Sequence, residues 1–263
     1  MTSAHPGNMS EEVDLKTYVA ELHVHTVVSP CAAVEMIPPL IVREALERGI
    51  NLIAITDHNS SANVEAVQKA AQGSGLTVLP GMEVQTREEV HLICLFDTLA
   101  QVESWQEQVD DHLPPADNNI EFFGEQFVVD ETGEFMRRET RLLSTSTNLS
   151  LQEAVEGVLD LGGMIIPAHV NRKAFSLIAN LGFVPSDLPV DALEINRHAS
   201  PGEARQKFPQ LRDFALIQSG DVHHLNEFLG ANIFKVAAPT IDELRLALRG
   251  EAGRSLVMQP ITN

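Results

Sequence analysis

Histidine and carboxylate residues recur at short spacings along this sequence, and their types suit metal binding. His23 and His25 close an apolar run, and Asp221 and His223 repeat the same two-residue spacing. Because alternate residues of an extended strand point to the same side, each pair can hold one ion. Imidazole and carboxylate ligands together suit Zn²⁺, Mn²⁺ or Fe²⁺. The further candidate ligands are His58, Glu83, His91 and His169.

The apolar runs before these residues alternate with helix-like stretches. We expect strands at 18–24, 51–56, 76–80, 90–96, 163–168, 191–195, 214–219 and 232–236. We expect helices at 38–48, 63–72, 150–161 and 242–249. Repeated strand and helix units predict an α/β fold with a mainly parallel sheet that closes into a barrel, with its site where the strands end. The candidate ligands fall at such ends, except for His91, which lies inside its strand.

Residues 98–149 interrupt this alternation. The segment contains Pro114, Pro115 and a hairpin-like stretch at 127–135. Such an insertion is either a lid over the functional face or a plain surface excursion, and the pattern favours neither. We therefore predict one barrel domain over 18–263 with an insertion at 98–149, preceded by a mobile N-terminal tail at 1–17.

Composition and charge indicate which partners and which compartment to expect. The net charge of −19 argues against stable nucleic-acid binding, which needs clustered Lys and Arg, so a nucleotide substrate should be small. The single Trp105 and single Tyr18 offer little for stacking of bases. Cys31 and Cys94 are too few for a disulfide framework, which favours the cytoplasm. The sequence shows neither a membrane span nor the pattern of a signal peptide.

The ordered motifs resemble one known family. They are His-x-His-Thr with a following Ser at 23–29, Thr56-Asp57-His58-Asn59, Gly81-Met82-Glu83, His91, Pro167-Ala168-His169 and Gly220-Asp221-Val222-His223. From about residue 20 to 236 the chain resembles the PHP (polymerase and histidinol phosphatase) domain of metal-dependent phosphoesterases. The resemblance implies a distorted (β/α)7 barrel with two or three divalent ions at the carboxyl ends of its strands.

The resemblance also implies how the ligands divide among the ions. One ion would be held by His23, His25, Glu83 and Asp221. A second ion would be bridged by Glu83 and bound by His91 and His169. A third ion would be held by His58 and His223.

Two neighbouring residues complete the implied site. Asp57 would orient one of the metal ligands by contacting it on the side away from the ion. Cys31 stands where members of the family commonly place His or Asp as a further ligand of the third ion. Its thiolate either binds Zn²⁺, or the residue is a small buried side chain, and the sequence supports both readings equally.

The reaction that such a site supports is hydrolysis of a small phosphomonoester, either a nucleotide or a phosphorylated metabolite. Water shared by two ions becomes hydroxide near neutral pH and attacks phosphorus. Arg172 is the candidate cation for the phosphate oxygens, because a guanidinium matches phosphate in a bidentate fork. Arg172 is alternatively an ordinary surface residue beside Lys173. His198 is a candidate general acid, and Arg197 could also reach the opening.

Two other functions remain open at this point. A non-catalytic metal-binding module that stabilises or regulates a partner is suggested by Cys31, which replaces a usual ligand. Hydrolysis of an amide is the third possibility, although no lysine at a strand end offers itself for carboxylation.

Overall fold

The computed structural model describes residues 13–185 and 187–259. The strands are β1 (Lys16–Val24), β2 (Leu52–Ile55), β3 (Thr77–Gln85), β4 (His91–Leu95), β5 (Phe127–Val129), β6 (Phe135–Arg138), β7 (Met164–Pro167), β8 (Leu193–Ile195), β9 (Leu216–Gln218), β10 (Asn232–Val236) and β11 (Ser255–Met258). The helices are α1 (Pro38–Glu47), α2 (Val64–Ala70), α3 (Leu99–His112), α4 (Ile120–Phe123), α5 (Leu151–Asp160), α6 (Leu177–Leu181), α7 (Pro201–Lys207) and α8 (Ile241–Arg249).

The strands form a curled half-barrel, which confirms the predicted α/β fold of a distorted barrel. Seven strands make one sheet in the order β11-β10-β1-β2-β3-β4-β7, and β8 and β9 form a separate parallel pair. A parallel bridge between Val24 and Val222 joins the end of β1 to the segment after β9.

The prediction of a mainly parallel sheet is wrong. Strands β1, β2 and β3 are parallel, but β10 pairs antiparallel with both β1 and β11, and β4 pairs antiparallel with both β3 and β7. Only residues 86–90 connect β3 to β4. A parallel pair needs a crossover of a dozen or more residues, so this short connection forces a hairpin.

Each strand and helix expected from the sequence is present. Strand β1 begins at Lys16, two residues before the expected start, and residues 1–12 of the expected tail lie outside the described part of the chain. Helix α5 begins with the capping box that its sequence predicts, because Ser150 Oγ accepts from the Glu153 amide and the Glu153 carboxylate accepts from the Ser150 amide.

The first part of the expected insertion belongs to the barrel. Helix α3 begins at a capping box formed by Thr98 and Gln101, and it buries Val102, Trp105 and Val109 in the core. The spacing of these three residues places them on one face of a helix, and that face packs against the sheet and α5. The excursion is therefore limited to 113–149, where β5 and β6 form the expected hairpin.

The described helices are too short or too polar to cross a bilayer. Both cysteines are free, with Cys94 buried in the core and Cys31 exposed. The cytoplasmic location stays a prediction.

Candidate metal centre

The eight candidate ligands meet at one edge of the sheet. Strands β1, β2, β3 and β7 run in the same direction, so their carboxyl ends share this edge. Strand β4 runs the opposite way, and its first residue, His91, therefore reaches the edge where β3 ends. The backbone amides of His25 and Val222 bond to the carbonyls of Val222 and His23, which brings the segment carrying Asp221 beside β1.

Glu83 lies at the centre of the cluster. It is buried within β3, because that strand continues to Gln85 instead of ending at residue 80 as expected. Imidazole nitrogens surround its carboxylate at 2.8 Å (His91 Nδ1), 2.9 Å (His58 Nδ1), 3.3 Å (His23 Nε2), 3.3 Å (His169 Nε2) and 3.5 Å (His25 Nε2). With imidazoles on all these sides, the carboxylate would be available to ions held by any of these histidines.

Asp221 forms a second focus of the same cluster. Its Oδ1 lies 3.3 Å from His23 Nε2, 3.3 Å from His25 Nε2 and 3.5 Å from His223 Nδ1. Its Oδ2 lies 2.7 Å from a terminal nitrogen of Arg172. Asp221 thus links His23 and His25, at the end of β1, to the cation at the opening.

Several buried ring nitrogens in this cluster make no hydrogen bond. They are Nε2 of His23, His25 and His91 and both ring nitrogens of His169. A buried polar atom without a partner costs about 1–3 kcal/mol, so a concentration of such atoms fits a site whose partner is a bound ion. Three overlapping groups bring their ligand atoms within 4.8 Å of one another: His23 with His25 and Asp221, His58 with Glu83 and His91, and His25 with His58 and His223.

The charges of the cluster offset one another only in part. Burial opposes ionisation of Glu83, but the surrounding imidazoles hold the pKa of its carboxyl well below the usual value. Burial also favours a neutral His23, yet the carboxylates of Glu194, Glu83 and Asp221 raise the pKa of its imidazole well above the usual value. The same burial lowers the pKa of His25, so its ring stays neutral and available as a ligand.

A network behind the ligands fixes their orientation, and Asp57 is its anchor. The Asp57 carboxylate accepts from the Thr26 amide at 2.6 Å, the Thr26 hydroxyl at 2.8 Å and the Ser29 hydroxyl at 2.7 Å. Ser29 Oγ also lies 3.1 Å from His25 Nδ1 and accepts from the His58 amide. This geometry supports the orienting role expected for Asp57.

Two buried carboxylates that the sequence analysis missed support the site. Glu194, on β8, places both oxygens 3.2 Å from His23 Nδ1 and accepts from the His169 amide at 3.0 Å. Glu21, on β1, accepts from the amides of Gly220 and Leu229 at 2.8 Å each, and so holds the loop that carries Asp221. In the sequence, each of them is a carboxylate within an otherwise apolar run, and that pattern could have indicated a buried functional residue.

The backbone carries strain at two ligands. His169 has a φ of 32° and Asp221 a φ of 50°, a region that residues other than glycine rarely occupy. Gly220 precedes Asp221, and a Cβ there would lie 2.3 Å from the carbonyl oxygen of Glu227. Such strain persists where the surrounding contacts impose it, and it concentrates at functional sites.

Two further predicted residues line the opening. Arg172 follows His169 by three positions, and 44% of its side chain is exposed above the Asp221 carboxylate. Cys31 is exposed, and it lines the same cavity above the cluster as Arg172 does. Partial burial opposes ionisation of its thiol, but contacts with His223 and His58 outweigh that effect and lower the pKa of Cys31 to about 6. The thiol therefore stands next to the histidines expected at the third ion.

The structure does not bring the other two candidates into the cavity. His198 is exposed and is absent from the cavity wall, and its backbone amide donates to the Asn196 side chain. Arg197 pairs with Glu227 at 3.2 Å and donates to the Gly220 carbonyl. Both residues follow β8, where the chain turns at Asn196. Neither has the position of a general acid or a phosphate ligand.

Comparison with known proteins gives sequence relatives that act on phosphoesters. The chain is 32% identical over 82 residues to the 5'-3' exoribonuclease Rnm of Salmonella typhimurium. That match covers 29% of this chain and 27% of the relative. This chain therefore matches only a minor part of that enzyme's length.

The fold is similar to that of solved endonuclease structures. The lesion-specific endonuclease PfuEndoQ from Pyrococcus furiosus superposes with a TM-score of 0.69 at 23% identity, covering 92% of this chain and 58% of that chain. Endonuclease Q in complex with a 27-mer duplex superposes with a TM-score of 0.60 at 21% identity, over the same shares of the two chains.

The prediction that no stable nucleic-acid binding is expected is wrong. In the endonuclease Q complex, a chain of this fold holds a duplex with an abasic lesion at its active site. The prediction rested on the net charge of −19, which is a sum over the whole surface. The potential at the opening depends on local groups such as Arg172 and on any bound cations.

The sequence model of the PHP domain matches residues 21–153, which carry the first four strands of the half-barrel and the central Glu83. PHP domains are metal-dependent, and the donor atoms gathered in this chain agree with that property. Since the match extends over half of the sequence, the chain belongs to the PHP domain family.

Proposed function

We propose that this chain is a metal-dependent phosphoesterase whose substrate is a small phosphoester, either a nucleotide or a phosphorylated metabolite. The observation that carries the proposal is the convergence on Glu83 of buried imidazole nitrogens without a hydrogen bond, which are Nε2 of His23, His25 and His169. Relatives named as an exoribonuclease and an endonuclease support hydrolysis of phosphoesters as the class of reaction.

The donor set fits divalent transition metals. The proposed ligands are imidazoles and carboxylates, the set that suits Zn²⁺, Mn²⁺ or Fe²⁺. They are His23, His25, His58, Glu83, His91, His169, Asp221 and His223. When bound, such ions polarise phosphoryl oxygens and lower the pKa of water toward neutrality. We propose Cys31 as a further ligand beside His58 and His223, because it lines the same cavity and both imidazoles act to lower the pKa of its thiol.

The remaining residues of the site bind the phosphate of the substrate or orient the metal ligands. Arg172 donates to phosphate oxygens at the opening, and its contact with Asp221 holds the guanidinium over the cluster. Glu194 keeps the Nδ1 proton on His23, which leaves Nε2 free as a donor atom toward the cavity. Ser29 does the same for His25.

Phosphodiester cleavage in nucleic acid is the second candidate. It is favoured by the sequence similarity to the exoribonuclease and by the exposed Arg172, which lines the cavity. An oligonucleotide therefore belongs in the same assay as the small phosphoesters.

The test is a phosphate-release and chain-cleavage screen of the metal-loaded protein with Asp221→Asn and the matched control Asp242→Asn. Asp242 is exposed on α8, so its change should leave turnover as it is. Asp221→Asn should lower turnover by more than about 100-fold, because several kcal/mol of charge stabilisation depend on the ions. Full turnover in Asp221→Asn would contradict the proposal. Bound metal without turnover of any phosphoester would favour the non-catalytic module.

A further inference from the structure

Aromatic rings share the cavity with the metal centre. This cavity, of about 420 Å³, is lined by six of the eight proposed ligands and Arg172 together with Phe122, Phe123 and Phe175. Phe122 is 78% exposed and Phe175 is 46% exposed. Phenyl rings do not contribute to phosphate binding, and rings that are exposed to water lack the stabilisation that burial would give. Their position therefore points to a part of the substrate other than phosphate.

Phe175 is held rigidly at the edge of the metal cluster. Its φ is 54°, which is unusual for a bulky residue. Its carbonyl accepts from the His91 amide at 3.3 Å, and its ring stacks on the His91 ring at a centroid distance of 5.2 Å and an angle of 26°. Contacts to backbone and ring thus impose a strained conformation, which presents the ring to the cavity.

Phe122 and Phe123 reach the cavity from the excursion at 113–149. They end the short helix α4, and their rings meet edge to face at 4.7 Å. Gly124 follows with a φ of 98°, and a Cβ there would lie 2.7 Å from the Pro30 carbonyl oxygen. This close approach seats the excursion against the loop that carries Cys31.

We propose that these rings form a base-binding subsite, so that the substrate of the proposed phosphoesterase carries a nucleobase. The base stacks on Phe175, with Phe122 also lining the cavity, while the phosphate lies at Arg172. A volume of about 420 Å³ is within the range of sites for small ligands. Gln85 and Ser144 also line the cavity and offer hydrogen bonds to the polar edge of a base. Phenylalanines thus supply the stacking surface that a lone Trp and Tyr could not.

The test uses two phosphoesters that differ only in the base, adenosine 5'-monophosphate and ribose 5-phosphate. Stacking contributes enough to change binding by about fivefold to 150-fold for each base. The metal-loaded protein should therefore favour the adenosine compound by about tenfold or more in kcat/KM, with the difference mainly in KM. Octyl phosphate serves as an apolar substrate without a base and should be as poor as ribose 5-phosphate.

The variants are Phe175→Leu and Phe122→Leu, with Phe183→Leu as the matched control. Phe183 is 56% exposed and lies outside the cavity wall. Each cavity variant should lose most of the preference for the base, measured as the ratio of kcat/KM on the two compounds, whereas the control should keep this ratio. Because Phe175 touches His91, the metal content of each variant is measured. If Phe175→Leu has lost metal, the result for Phe122→Leu decides the test.

Equilibrium binding of the same two compounds, measured by calorimetry, separates this inference from the proposed function. Tighter binding of the adenosine compound without any turnover would support the subsite and contradict the phosphoesterase. Turnover with equal affinity for both compounds, or with equal use of octyl phosphate, would overturn the base-binding subsite and leave the phosphoesterase intact.

Discussion

Replacing Glu194 with Gln tests whether a buried carboxylate sets the metal affinity of this site. The glutamine has the same shape and can still accept from His23 and His169, so the change removes the negative charge alone. A hydrogen bond to a charged group contributes about 1.5–3 kcal/mol, against about 0.5–1.5 kcal/mol for a neutral pair. Two contacts each weakened by about 1 kcal/mol give a loss of about 2 kcal/mol.

That loss corresponds to a roughly 30-fold weaker metal affinity, since about 1.4 kcal/mol is tenfold. It is within the 10- to 100-fold range typical of residues that orient metal ligands. Competition with a chromophoric chelator measures the affinity, and thermal unfolding of the metal-free protein checks the fold. Glu103→Gln, at an exposed position on α3, removes the same charge far from the cluster and should have no effect. A Glu194→Gln protein that binds metal within about twofold of the parent would refute the reasoning.

Three further predictions concern stability. Glu21→Gln should lower the free energy of unfolding by about 1–3 kcal/mol, because either orientation of the amide leaves the Gly220 or the Leu229 amide without an acceptor; an unchanged urea midpoint would argue against this. Trp105→Ala should cost about 3–5 kcal/mol, since the ring is fully buried against Gly157; urea denaturation with a loss below about 1 kcal/mol would show that α3 is not part of the core. Removing metal with a chelator from protein kept in free metal at about 100 times the dissociation constant should cost about 2.7 kcal/mol, which scanning calorimetry would record as a fall in Tm of about 5–10 °C; an unchanged Tm would mean that folding is not coupled to these ions.

The strands and the ligand cluster could be predicted because they depend on local patterns. A run such as 51–56 is apolar whichever partner it finds, and the two-residue spacing of His23 and His25 puts both side chains on one face of a strand. The order of the motifs along the chain predicts Glu83 and His169 as further ligands. Their spacing alone does not connect them to the other ligands.

The remaining features depend on which strands meet. Glu83 lies inside β3 because a hairpin extends that strand, and the length of a hairpin is set by its pairing with β4. The expected insertion at 98–149 includes helix α3, although the spacing of Val102, Trp105 and Val109 indicates a buried face. Glu194 shows its role only when β8 is placed beside His23.

We expect the cluster around Glu83 and Asp221 to hold divalent metal ions. The most direct measurement is elemental analysis of the untagged, folded protein by plasma mass spectrometry. The three overlapping groups of ligands predict two or three equivalents of transition metal per chain, and Asp221→Asn should reduce this number. Less than one equivalent in a folded protein supplied with Zn²⁺, Mn²⁺ and Fe²⁺ would contradict the claim.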